Sequence, residues 1–131
     1  MLGLFNKSAS VARKVFVVAE IGKNFIQTKE ERPRAEYLQN ALALIDAAVD
    51  AGADAVKFQP HVAADEQANL SVVSPHFRGA ERYAWIARNE RATPPSFWKE
   101  VSAHAARRGI LFFSTPMSRK AAEKLAVVNP P

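Results

Sequence analysis

Lys57 and Gln59 stand two residues apart in the segment Ala55-Val56-Lys57-Phe58-Gln59, which enters through a Gly-Ala-Asp turn. Read as a strand, that spacing projects an ammonium and an amide from one face. Glu20 stands near the end of "KVFVVAEIG" (14–22), and Ser114 and Thr115 near the end of "ILFFSTP" (110–116). A lysine in a partly dry pocket loses its hydration unless an anion replaces the water, so this set suits an anionic ligand. Glu20 compensates Lys57 when no ligand is present; a phosphate or carboxylate does so when one is. Two plainer readings stay open. Glu20 and Lys57 could be an ion pair capping a sheet, and Ser114-Thr115-Pro116 a helix-opening turn.

The elements that position these residues follow from periodicity. The three apolar runs read as strands buried on both faces. Between the first two, Leu38, Leu42, Ile45 and Val49 recur at helical spacing over 34–51, with Gly52 where a C-terminal cap glycine belongs. Residues 61–93 read as a polar, aromatic connection with a short helix around 81–89. A second long helix is expected from Ser96 or Thr93 with Pro94-Pro95, running through Trp98, Val101 and Ala105 to Gly109, and a third over 118–127. Strands alternating with helices indicate a parallel α/β sheet, whose strands open their carboxyl ends on one side, where ligands bind. The long connection after the second strand is expected to be functional.

The chain has 131 residues, 48% of them hydrophobic, which suffices for one domain with a real core. It has no cysteine, which excludes disulfides and thiolate metal sites and fits a reducing cytoplasm. No apolar run approaches the roughly 20 residues that span a bilayer, so no membrane partner is expected. Net charge is +5. Arg88, Arg91, Arg107 and Arg108 are expected on solvated helix faces. Aromatic residues do not interleave with the basic ones as a nucleic-acid groove requires, so nucleic acid is not the expected partner. His104 is expected at the surface of its helix and His76 as a loop-ordering residue. His61, just past the second strand, is a candidate ligand contact. No two histidines have metal-ligand spacing.

"FVVAEIGKN", "LIDAAVDAGADAVKFQ" and "ILFFSTPMSRKAAEKL", in that order, resemble the N-terminal part of the sialic acid (N-acetylneuraminate) synthase family, and "PHVAADEQ" (60–67) resembles the acidic loop after its second strand. The resemblance covers about residues 15–127. It implies a partial (β/α)8 TIM barrel, about the first three βα units. Residues 1–13 would be a lead-in and 14–131 the N-terminal portion of the barrel domain. It also implies a transferase that condenses phosphoenolpyruvate with N-acetylmannosamine or a related N-acetylated amino sugar, releasing phosphate.

On the matching positions, the resemblance makes Glu20 the catalytic carboxylate beside the reacting carbons. Lys57 and Gln59 would bind phosphoenolpyruvate, and Thr115, with Ser114 adjacent, its phosphate. Asn24 matches the first residue of the family's Asn-His-Asn-Gly loop, but Phe25, Ile26 and Gln27 depart from it, and Pro60 replaces a common threonine. The resemblance further implies a divalent metal (Mn or Mg) with ligands outside this chain, a C-terminal antifreeze-like domain, and a cytoplasmic homodimer for the full-length enzyme. A whole barrel needs about 250 residues, so a fragment, inactive and partly unfolded in isolation, is expected. The competing readings are a non-catalytic anion-binding α/β module and a different phosphoenolpyruvate or sugar-phosphate barrel.

Overall fold

The computed structural model describes residues 15–66, 68–70, 73, 75, 81–126 and 128. The lead-in over 1–13 and His76 lie outside them. Three strands, β1 (Val18–Gly22), β2 (Ala55–Phe58) and β3 (Leu111–Ser114), form one parallel sheet in the order β1-β2-β3. Helix α1 (Arg34–Asp50) connects the first two strands. Helices α2 (Ala63–Glu66), α3 (Arg82–Ala92) and α4 (Pro95–Arg107) lie between β2 and β3, and α5 (Arg119–Ala126) follows. This is the α/β order expected, three βα units of the kind that build a TIM barrel.

The first strand is shorter than its apolar run. β2 offers rungs only from Ala55, so pairing starts there. Ahead of it, Val17 is tied to Asp54: its N–H donates to Asp54 Oδ2 at 2.9 Å and its carbonyl accepts from the N–H of Asp54 at 2.8 Å. Val15 to Val18 consequently remain exposed. β propensity makes a strand only where a neighbour supplies the ladder.

In α1 the buried stripe is Tyr37, Ala41, Ile45 and Ala48, while Leu38, Leu42 and Val49 flank it half-buried. The expected stripe was thus displaced by one position at three of its four residues. Two alanines on the buried face let the helix settle close against its neighbours α4 and β2, and the leucines cover the margins.

α3 is three residues longer than its expected end. Its first turn is capped by Glu81, whose carboxylate accepts from the N–H groups of Tyr83 (2.9 Å) and Ala84 (2.8 Å). Its last turn is closed by Thr93, whose Oγ1 donates to the Asn89 carbonyl at 2.8 Å. Thr93 therefore ends one helix and does not start the next. α4 begins behind Pro94 with Pro95 in its first turn, and no side chain caps it. The one-turn α2 was not expected at all.

The core is aromatic and lies between the sheet and the helices. Trp98 is fully buried, with ring centroids 5.1 Å from Phe97, 5.9 Å from Phe58 and 6.4 Å from Phe25, all edge-on. Phe58 carries the cluster on to Phe112 at 5.7 Å. Phe25 and Ile26, from the turn after β1, are buried in the same cluster.

Two expectations about surface groups are corrected. Arg88 is buried: it stacks on Trp85, 4.3 Å from the ring centroid. Its guanidinium donates to the carbonyls of Thr28 (2.7 Å) and Lys29, latching the loop after β1 onto α3. His104 is half-buried, its Nε2 2.7 Å from Asp46 Oδ1, and so bridges α4 to α1. In both cases a long or ring side chain found a partner on an element distant in sequence, which helical periodicity does not reveal. Arg91, Arg107 and Arg108 are exposed as expected.

Candidate functional site

Residues paired across a parallel sheet project to the same side, and successive residues to opposite sides. Val56 pairs with Phe112 and Phe58 with Ser114, and Val56, Phe58 and Phe112 belong to the core under the helices. Glu20 pairs with Lys57, and Lys57 with Phe113, on the side facing away from the helices. That open face carries the polar residues at the carboxyl ends of the strands.

There, Lys57 Nζ lies 2.5 Å from Glu20 Oε2, with the two side chains 27% and 45% exposed. The pair is half-wet, so water or an arriving anion can reach it. Gln59 comes to the same place. The β1 ladder is irregular between Glu20 and Gly22, and Gly22 has φ +58°. A Cβ at Gly22 would lie 3.5 Å from Glu20 Oε1 and 3.6 Å from Gln59 Oε1. Both side chains therefore lean over the bare glycine, whose backbone conformation disfavours any other residue.

Thr115 extends the arrangement. Its N–H donates to the Phe58 carbonyl at 3.0 Å, one more rung of the β2–β3 ladder, which places it on the Lys57 side with its residue exposed. Ser114 does not join them. The expectation of two hydroxyls on one floor is corrected by the register, which puts Ser114 beside Phe58 toward the helices, its Oγ buried and without a partner among the described residues. Neither residue opens the following helix. That role belongs to Ser118, whose Oγ accepts from the Ala121 N–H at 3.2 Å.

Asn24 is exposed in the turn after β1, its N–H donating to the Ile21 carbonyl. Phe25 and Ile26 turn inward, and Asn40 Nδ2 holds the Phe25 carbonyl at 3.1 Å. Where the resemblance has polar residues, this chain anchors its loop in the core.

His61 is buried, and its Nδ1 lies 2.8 Å from Glu66 Oε2; the other Glu66 oxygen accepts from the Val62 N–H at 2.8 Å. Burial pushes the His61 pKa below its ordinary value and outweighs Glu66, while Lys23 and Lys124 push the same way as burial. Burial likewise lowers Lys23 and Lys124. Glu66, Lys23, Lys124 and Glu90 were not singled out from the sequence. The acidic run at 65–66 was the available signal, but nothing local to it indicates that it turns back onto His61.

The lowered His61 pKa has a sign that can be checked. The unfolded chain takes up a proton on this ring below about pH 6.5, whereas the folded chain resists it, so stability falls as pH drops through that value toward the folded pKa. Urea midpoints at pH 7.5 and 5.5 should differ, and the difference should shrink in His61→Asn, which keeps a donor toward Glu66. An equal difference in both proteins would show that His61 is not its source.

Among the described residues, no three His, Asp or Glu side chains gather closely enough to hold one metal ion. The resemblance places the ligands of its divalent metal outside this chain, and no step below passes through that metal. Among the same residues, no helix is long and apolar enough to cross a membrane.

Three comparisons bear on this geometry. A model of the NeuB family matches residues 44–131. Among solved structures, the fold is similar to an N-acetylneuraminic acid (sialic acid) synthetase from Leptospira borgpetersenii serovar Hardjo-bovis, with 21% identity, a TM-score of 0.58, and coverage of 95% of this chain and 39% of that one. It is also similar to the spore coat polysaccharide biosynthesis protein spsE from Bacillus subtilis, with 28% identity, a TM-score of 0.53, and coverage of 95% and 30%. The chain thus spans well under half of either structure. A search of curated proteins finds no match.

Proposed function

We propose, from the premise that the chain belongs to the NeuB family, that it carries the phosphoenolpyruvate-binding floor of a sialic acid synthase-like transferase. The reaction is condensation of phosphoenolpyruvate with N-acetylmannosamine or a related N-acetylated amino sugar, in an enzyme that works as a homodimer. The observation that carries this reading is the Glu20–Lys57 pair on adjacent parallel strands, at their carboxyl ends and on the face away from the helices.

In that reading the ligand's anionic group displaces Glu20 as the counter-ion of Lys57. The Gln59 amide and the Thr115 hydroxyl then supply neutral hydrogen bonds to its oxygens. Two unit charges at contact attract by several kcal/mol in a half-dry site, enough to orient a small anion. C3 of phosphoenolpyruvate forms the new bond to the sugar aldehyde carbon, leaving positive charge at C2. The sugar oxygen keeps the carbonyl electrons as an alkoxide. Water adds to C2, and one of its protons passes by way of the released Glu20 carboxylate to that alkoxide. Phosphate departs with the C2–O bond electrons as hydrogen phosphate, taking the second proton as the C2 keto group forms.

The test is incubation of the intact protein with phosphoenolpyruvate and a panel of N-acetylated amino sugars, followed for free phosphate and for a nonulosonic acid. Phosphate released only in the presence of a sugar supports the proposal; none with any sugar favours a non-catalytic anion-binding module. Glu20→Gln should lower kcat by on the order of 100-fold, the scale of a lost general base, with KM for phosphoenolpyruvate changed far less. If the variant instead melts earlier while turning over normally, Glu20 and Lys57 are a structural pair.

A further inference from the structure

Gln59 stands one residue past the end of β2, so the sheet alone does not hold it. The backbone bonds lengthen across this step. Thr115 donates to the Phe58 carbonyl at 3.0 Å, but Gln59 donates to the Gly22 carbonyl at 3.3 Å and Met117 to that of Pro60 at 3.4 Å. The last two lie past the usual range for an N–H···O bond. Pro60 has no N–H to continue the ladder, and its fully buried ring restricts Gln59 to extended backbone.

Tight contact resumes two residues after Gln59. Both oxygens of Glu66 are engaged at 2.8 Å, one with His61 Nδ1 and the other with the Val62 N–H. The His61 and Glu66 side chains are 4% and 10% exposed. The carboxylate thus closes the turn over 61–66 onto the chain leaving β2. Helix α2, which carries Glu66, is itself held from two sides. The Ala63 N–H donates to Glu90 of α3 at 2.9 Å, and Asp65 meets Lys120 of α5 at 3.0 Å. A series of fixed groups therefore runs from α3 and α5 through Glu66 and His61 to Pro60, and Gln59 is the next residue.

We infer that Glu66, acting through the His61 ring, is a positioning residue that fixes where the Gln59 amide meets phosphoenolpyruvate. The inference rests on the phosphoenolpyruvate-binding role proposed for Gln59. Neither Glu66 nor His61 needs to touch the ligand: both are buried, and Gln59 carries their effect to it. Truncating Glu66 therefore weakens binding by no more than loss of the Gln59 amide does, about tenfold for one neutral hydrogen bond.

Calorimetric titration of the intact protein with phosphoenolpyruvate, in the absence of sugar, tests the inference. Glu66→Ala should raise Kd by up to about tenfold, whereas His61→Asn, which keeps a donor toward Glu66, should stay within about twofold. Glu66→Asp is one methylene shorter and reaches only one of the two donors. It should fall between them, and it serves where the alanine variant does not fold. In a Gln59→Ala background both Glu66 substitutions should leave Kd unchanged, whereas a merely structural role would weaken binding in either background. The side-chain amide resonances of Gln59, assigned by their absence in Gln59→Ala, give a reading that needs no ligand. They should be displaced from free-amide positions in the unsubstituted protein and in His61→Asn, and move back toward them in the Glu66 variants. If the unsubstituted protein binds no phosphoenolpyruvate, the ligand assignment fails and these resonances alone decide the positioning role. Unmoved Gln59 resonances in a folded Glu66 variant, or an equal loss of affinity in the Gln59→Ala background, would overturn the inference.

Discussion

Lys57→Ala in the intact protein is expected to raise KM for phosphoenolpyruvate roughly 10- to 100-fold, the range of one lost hydrogen bond to a charged group. The reasoning rests on what the substitution leaves behind. Glu20 keeps its place on β1, 45% exposed, and without the ammonium its carboxylate faces the incoming anion unopposed. Loss of attraction and gain of repulsion act in the same direction. The protein itself should stay folded, because the Lys57 side chain lies on the face away from the aromatic core and its partner can be hydrated. Steady-state kinetics with phosphoenolpyruvate varied, alongside a thermal melt, separates the effects. An unchanged KM in a folded variant would remove Lys57 from the binding role.

Trp98→Ala is expected to cost about 3–5 kcal/mol, the usual range for emptying a buried aromatic site. Few domains exceed a total stability of about 15 kcal/mol, so this is a large share. Trp98 meets Phe25, Phe58 and Phe97 edge-on, and those three come from the turn after β1, from β2 and from α4. Removing the indole therefore opens a void where three parts of the chain meet. The urea midpoint should fall by roughly 2 M. Trp98→Phe should cost less. It keeps most of the ring area and deletes a buried indole N–H that has no partner among the described residues. A midpoint shift below about 0.5 M in the alanine variant would show that the cluster relaxes around the loss.

Legibility in the sequence followed the range of the forces involved. The three strands and the long helices were readable because apolar periodicity is local, and the parallel α/β order followed from their alternation. Glu20, Lys57 and Gln59 were brought together as spacing suggested, since side-chain alternation and strand register are simple geometry. Ser114 shows where that geometry was underused: adjacent residues cannot both face the same way, and the rung from Thr115 to Phe58 decides between them. The features that stayed hidden all depend on contacts across dozens of residues. Arg88 lies 60 positions from Thr28, and Asp46 lies 58 from His104. The Glu66 return to His61 spans only 5 positions, yet it requires the one-turn α2, which four residues of weak pattern do not announce.

The Arg88 latch has a consequence for how such a chain can diverge. Its guanidinium grips the carbonyl oxygens of residues 28 and 29, atoms that every amino acid possesses. Side chains at those two positions can drift under mutation with the grip intact. Selection for a fixed loop bears instead on Arg88 and on the Trp85 ring beneath it. Among related sequences, variation should be wide at 28 and 29 and narrow at 85 and 88, and the two aromatic-cationic partners should change together or not at all.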